Sequence, residues 1–244
     1  HIAGLGLPDI SQVVCALGGI DKSYRLNSEG LSRRQVLRHV INEYRFGGLE
    51  LMMAGGYFEL LDWLVERDKR VFVDLKFFDV PATVGRAVAR LRNRGVTFAT
   101  VHGNQSIMEA AAEAKGDVGI LAVTVLTSLD RGDLDDLGFR CDVEQLVLSR
   151  ARRALEAGCD GVISSGLEAP TLRRSVDDRL IVVTPGIRPV DNRPEDDQKR
   201  VVTVQEAFGN GADYIVVGRP IRDAADPRLA AESIQESIAG VFGR

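Results

Sequence analysis

Apolar residues along this chain gather into short runs separated by longer amphipathic stretches, an alternation that marks parallel βα units. Eight such runs span residues 12–17, 46–52, 70–75, 97–102, 119–124, 161–165, 180–184 and 213–218. Segments with helical spacing follow them, for example 81–94, 143–157 and 227–238. The last of these opens with Asp226 as N-cap and Pro227 at the first helical position. Eight strands alternating with eight helices in about 250 residues predict an α/β fold, a (β/α)8 TIM barrel. An open doubly wound sheet is the structural alternative.

Composition narrows the picture further. With 244 residues and 45% hydrophobic content the chain can bury a substantial core. It carries no Pro/Gly/Ser-rich spacer, low-complexity tract or block of like charge that would mark a boundary. Residues 1–244 therefore read as a single barrel domain. A formal net charge of -4 argues against a nucleic-acid polymer as partner, while leaving room for a local basic phosphate pocket. No apolar run approaches the roughly 20 residues needed to span a bilayer, and the start of the chain does not read as a secretory signal. Cys15, Cys141 and Cys159 lack close metal-like spacing, so they read as reduced packing residues of a cytoplasmic protein, with no metal site.

The third run ends in Asp74-Leu75-Lys76-Phe77-Phe78-Asp79, which places three opposed charges on a segment that otherwise reads as buried strand. Residues two apart in a strand share a face, so Phe72, Asp74 and Lys76 project together, with Asp74 and Lys76 roughly 7 Å apart at Cα. A salt bridge at a strand end is one reading of such a pair. Burying charge costs several kcal/mol unless it is paired and hydrogen-bonded, so stability alone gives little reason to gather three charges here. Clustered ionisable groups suit an active site. Val80-Pro81 ends the strand and puts Asp79 on the loop that leaves it.

In a (β/α)8 barrel, chemistry collects at the carboxyl ends of the strands and phosphate binds in the loops after the seventh and eighth. Thr184-Pro185-Gly186-Ile187-Arg188 follows the seventh run, and Gly218-Arg219-Pro220-Ile221 follows the eighth. Glycine lets backbone approach an anion, and arginine can meet phosphate oxygens with two parallel hydrogen bonds. Trp63 and the Met52-Met53 pair read as packing residues, and His102, at the end of the fourth run, reads equally as a site residue or a structural one.

Taken in order, five motifs resemble those of the orotidine 5'-monophosphate decarboxylase family. They are Asp74-Leu75-Lys76-Phe77-Phe78-Asp79-Val80-Pro81-Ala82-Thr83, Val123-Thr124-Val125-Leu126-Thr127-Ser128, Thr184-Pro185-Gly186-Ile187-Arg188-Pro189, Asp196-Asp197-Gln198 and Val217-Gly218-Arg219-Pro220-Ile221. The resemblance runs from about Gly48 to the C-terminus. It implies decarboxylation of orotidine 5'-monophosphate to UMP, the last step of de novo pyrimidine nucleotide synthesis, with neither metal nor cofactor. It implies a homodimer in which Asp74 and Lys76 serve one site while Asp79, with Thr83 nearby, reaches into the partner's. It assigns Lys76 as proton donor to C6 of the pyrimidine and Asp74 a place beside the substrate carboxylate. By the same match Thr127 would contact the pyrimidine and Gln198 would bridge toward base and phosphate. Arg188, Gly218 and Arg219 would hold the phosphate, and the loops 128–141 and 188–199 would act as lids.

The N-terminal fifth departs from the family pattern. The first strand usually ends Ala-Leu-Asp and here reads Ala16-Leu17-Gly18; the second usually carries Lys-Val-Gly-Leu-Glu-Leu and here reads Phe46-Gly47-Gly48-Leu49-Glu50-Leu51. The usual ribose-binding aspartate and network lysine are thus not in place. Asp21, Lys22 and Arg45 stand nearby, with Arg45 one residue out of register. Two alternatives stay open on the sequence: a magnesium-dependent sugar-phosphate decarboxylase or aldolase of the same wider group, and a non-catalytic nucleotide-binding relative. Phe78 and Ala82 stand where histidine and asparagine are common.

Overall fold

The computed structural model describes residues 13–14, 52–53, 56–188 and 200–242. Its strands are β1 (Val13–Val14), β2 (Val71–Phe77), β3 (Val96–His102), β4 (Gly119–Val123), β5 (Gly161–Ile163), β6 (Ile181–Thr184) and β7 (Tyr214–Val216). They form one sheet in the order β1-β7-β6-β5-β4-β3-β2, and every pairing is parallel. An eighth strand joining the β1 and β2 edges would close it. The expected second run falls at that place in the chain, but residues 46–51 of it lie outside the described residues. The fold class is the expected (β/α)8 barrel, and the open doubly wound alternative is set aside.

Alternate residues of the strands supply two apolar layers. Leu121 and Val123 join Phe98, Ile163, Val183 and Val216 inside the curl, while Ile120 and Ala122 pack outward against the helices. The helices in that outer layer follow from local signals. Helix α1 (Tyr57–Val65) starts after Gly56, and α2 (Pro81–Ala89) has its proline in the first turn, as the sequence implies. Between β3 and β4 runs α3 (Gln105–Ala114), and after β4 come α4 (Arg131–Asp136) and α5 (Val143–Glu156). Helix α6 (Ala169–Ser175) follows β5 and α7 (Val204–Gly209) follows β6. Helices α8 (Arg219–Arg222) and α9 (Pro227–Val241) close the chain, and the Asp226 carboxylate caps α9 by accepting from the Arg228 and Leu229 amides at 3.0 Å each.

Three expectations need correction or refinement. The stretch 128–141, read as a loop, holds α4, whose capping box between Asp130 and Asp133 satisfies the first-turn amides. Met52 and Met53 are helical and exposed, so they are not core packing residues. Trp63 carries the Arg67 guanidinium over its ring at 3.9 Å. Cys141 and Cys159 are both free thiols, as expected of packing residues, and burial pushes the Cys159 thiol up to about 12. Cys15 lies outside the described residues. No helix among the described residues is long and apolar enough to cross a membrane, and among them no cluster of acidic, histidine or cysteine side chains could hold a metal ion.

Candidate active site

A cleft of about 200 Å3 opens at the carboxyl ends of the strands. Phe72, Asp74 and Lys76 line it from β2, Val125 to Ser128 from the loop after β4, and Pro185, Gly186 and Arg188 from the loop after β6. Gly218 and Arg219 line it after β7. The structure thus brings six of the expected site residues, Asp74, Lys76, Thr127, Arg188, Gly218 and Arg219, to one cavity. Gln198 lies outside the described residues, as do Gly18 and Phe46.

Asp74 and Lys76 meet as the strand pattern implies, with the Lys76 ammonium donating to Asp74 Oδ2 at 2.7 Å. The backbone that carries them is not a regular strand. Val73 pairs with Ala99 and Phe77 with Val101, so Asp74, Leu75 and Lys76 bulge out of register against a single residue of β3. Lys76 takes the left-handed conformation at φ 45°, which costs a non-glycine residue on the order of 1 to 3 kcal/mol. Thr100, fully buried on β3, holds the bulge: its hydroxyl accepts from the Lys76 amide at 2.8 Å and donates to Asp74 Oδ1 at 2.9 Å. The sequence offered no sign of Thr100's part, because it depends on a register slip between two strands.

Tyr57, the first residue of α1, was also missed. Burial pushes its hydroxyl pKa up and the charge of Asp74 adds to the shift, so α1 begins within reach of the charged pair's field.

On the opposite wall, Gly186 sits at φ 76°, a conformation that suits glycine and turns the chain so that Arg188 enters the cleft. Arg188 is 7% exposed and its guanidinium donates to the Ile187 carbonyl at 2.8 Å. The Arg188 amide donates to the Val202 carbonyl at 2.9 Å, and the Val202 amide donates back to the Gly186 carbonyl at 3.1 Å. Two guanidinium groups and two glycines on neighbouring loops line the same cleft as the ion pair of β2, a grouping with the chemistry to bind an anion.

Asp79 and Thr83 do not line this cleft. Asp79 is exposed, its carboxylate accepting from the Val80 amide at 2.7 Å, and Thr83 Oγ1 accepts from Arg86 at 3.2 Å. The residues beside Asp79 are apolar and open to solvent, Phe78 at 66% and Val80 at 62%. His102 is outside the cleft as well; its ring stacks on Phe78 at 4.3 Å between centroids and its Nδ1 lies 2.9 Å from Asn104 Oδ1. Burial lowers its pKa, partly opposed by Asn104.

Known proteins share this arrangement of chain. A protein of Methylococcus capsulatus named orotidine 5'-phosphate decarboxylase is 69% identical over 215 residues, 88% of each chain. One of the same name from Stenotrophomonas maltophilia is 47% identical over 242 residues, 98% of each. Among solved structures, the orotidine 5'-phosphate decarboxylase of Lactobacillus acidophilus superposes with a TM-score of 0.67 at 34% identity, covering 78% of this chain and 84% of the other. The model of the orotidine 5'-phosphate decarboxylase / HUMPS family matches residues 47–234, more than half of the sequence. The chain belongs to the orotidine 5'-phosphate decarboxylase / HUMPS family.

Proposed function

We propose that this protein decarboxylates orotidine 5'-monophosphate to UMP, the last step of de novo pyrimidine nucleotide synthesis, without metal or cofactor. The observation that carries the reading is a single cleft with the Asp74–Lys76 ion pair on one wall and Arg188, Gly218 and Arg219 on the other. High identity to relatives that bear the decarboxylase name favours it over a sugar-phosphate enzyme of the same family.

The phosphate of the substrate sits against Arg188 and Arg219, and Thr127 contacts the pyrimidine. This seats the C6 carboxylate beside Asp74. The bond from C6 to the carboxylate carbon breaks, carbon dioxide leaves, and the electron pair stays on C6. Lys76 stabilises that developing charge with its ammonium and then transfers a proton to C6, giving UMP; water returns a proton to the amine. Because the phosphate lies remote from the reacting carbon, its binding energy serves to hold the ring in place for the reaction.

The active assembly is a homodimer in which residues 1–244 of each subunit form one barrel domain. Asp79 is absent from its own subunit's cleft and lies on a segment with two exposed apolar residues, Phe78 and Val80. A second copy covering those residues would receive Asp79, with Thr83 nearby, beside its own Lys76. Gln198 bridges base and phosphate, and the protein works in the cytoplasm. A second reading, nucleotide binding without turnover, is favoured by Gly18 and Phe46, which replace the usual acidic and basic partners.

Purified protein incubated with orotidine 5'-monophosphate and a chelator tests these readings together. Loss of orotate absorbance with one UMP formed per substrate is the expected result. A strict requirement for added magnesium would move the protein to the sugar-phosphate branch, and tight UMP binding without turnover would make it a binding protein.

A further inference from the structure

Arg200 is 9% exposed, and its guanidinium is held by groups from two other segments of the chain. Its Nη1 donates to Glu168 Oε1 at 2.7 Å, and both side chains of this pair are about nine-tenths buried. Its Nη2 donates to two backbone carbonyls, Val125 at 3.1 Å and Leu126 at 2.8 Å. The Leu126 carbonyl also accepts from the Leu129 amide at 3.0 Å, which closes a turn with Thr127 and Ser128 at its centre. Those two residues line the cleft. Two positions further along from Arg200, Val202 bridges to Ile187 and exchanges hydrogen bonds with Gly186 and Arg188. One guanidinium thus ties the turn that faces the base to the segment that presents the phosphate-binding arginine.

We propose that Arg200, held by Glu168, is a positioning residue for the reaction: it fixes the Thr127-Ser128 turn at the height the pyrimidine requires. A buried ion pair contributes little net stability compared with apolar residues of the same volume, so stability is a weak reason for one here. The pair is also imperfectly satisfied, since Arg200 Nε and Glu168 Oε2 are buried without hydrogen-bond partners. The planar fork of arginine serves the geometry in a way lysine cannot, because it reaches a carboxylate and two carbonyls from one rigid group.

This inference rests on the decarboxylase reading, and a double-mutant cycle separates the two. Arg200→Lys keeps the charge and loses the fork; it is expected to lower kcat/KM for orotidine 5'-monophosphate about 10- to 100-fold with ribose 5-phosphate inhibition nearly unchanged. Combined with Thr127→Ala, the loss should fall well short of the product of the single losses, since Arg200 acts through the turn that Thr127→Ala already disables. Glu168→Gln, which keeps a hydrogen-bond acceptor, supplies the same cycle if Arg200→Lys fails to fold. The same cycles read in UMP affinity by calorimetry do not require turnover, so an inactive wild-type protein would sink the decarboxylase reading and leave this one testable. Multiplicative losses in the cycle, or wild-type kinetics for Arg200→Lys, would overturn the positioning role.

Discussion

At the amino-terminal rim of the sheet, two ion pairs tie strand ends to neighbouring turns. Lys115 donates to both oxygens of Asp160 at 2.9 Å and to the Gly158 carbonyl at 2.8 Å, while Asp160 accepts the Ile120 amide at 2.8 Å. The arrangement repeats two strands later, where Arg173 donates to Asp213 at 2.5 Å and to the Gly211 and Leu180 carbonyls at 2.8 Å each. Asp213 in turn accepts the Val182 amide at 2.8 Å. The mouth of the barrel is built differently. Lys76 is held in a left-handed conformation, and the buried side-chain atoms without hydrogen-bond partners among the described residues, Ser164 Oγ, Glu168 Oε2, Thr184 Oγ1 and Arg200 Nε, all lie at the carboxyl end. The base uses charge to finish strand ends, whereas the mouth carries strain and unmet polar groups around a charged, open cleft.

By this division, substitutions at the mouth should separate activity from stability. Lys76→Ala gives the largest effect: loss of the proton donor should lower kcat by about 10^2- to 10^4-fold, followed by orotate absorbance. Alanine keeps the left-handed backbone, and the Asp74 carboxylate loses its ammonium but keeps the Thr100 hydroxyl, so the fall in melting temperature should be small beside the loss of activity. A variant that lost stability and activity in step would erase the contrast. Arg219→Ala should come next, weakening turnover and UMP binding by about 2 to 5 kcal/mol if its contact with phosphate is desolvated and charge-assisted. Orotidine, which lacks the phosphate, should be turned over equally by this variant and by wild type; an equal loss on both substrates would remove Arg219 from the phosphate seat.

The sequence disclosed the barrel because strand burial is written in local apolar runs, and six of its eight runs coincide with β2 to β7 within a few residues, apart from the 46–52 run and the two described residues of β1. The residues lining the cleft were legible for a similar reason: Asp74, Lys76, Arg188 and Arg219 carry charge where a buried segment or a glycine turn has no structural use for it. Thr100 and Glu168 were not legible. Each is a common polar residue whose part depends on a partner far along the chain, Lys76 at 24 residues' distance and Arg200 at 32. The bulge at Asp74 to Lys76 was hidden too, because two-residue periodicity is the same whether or not the opposing strand keeps register. Asp79 was placed correctly on its loop, and the exposure of Phe78 and Val80 around it could only come from the fold.

Asp213→Ala probes the other end. Removing this carboxylate leaves the Val182 amide and one edge of the Arg173 guanidinium without their partner. The expected loss is about 1 to 3 kcal/mol, reduced by the partial exposure of the pair, and for a chain of this length each kcal/mol shifts the melting temperature by about 2 to 4 °C. Activity per folded molecule should stay at the wild-type value, since Asp213 is absent from the cleft. Reduced kcat at temperatures where the variant is fully folded would show that the base is coupled to the mouth.

Thr100→Val is the smallest and the most discriminating change, because valine has the shape of threonine without the hydroxyl. It removes one hydrogen bond from the Lys76 amide and one to Asp74 Oδ1. Leaving buried groups unpaired costs about 1 to 3 kcal/mol, but the freed bulge can relax out of the left-handed conformation and recover a similar amount. The two effects offset, so unfolding free energy should stay within about 1 kcal/mol of wild type. Catalysis has no such compensation: with Asp74 turned and Lys76 lowered, the ammonium no longer meets C6 at the required distance, and kcat should fall about 10-fold. A large loss of stability with unchanged kcat would mean that Thr100 stitches β2 to β3 and has no part in holding the pair, which would place the mouth in the same class as the base.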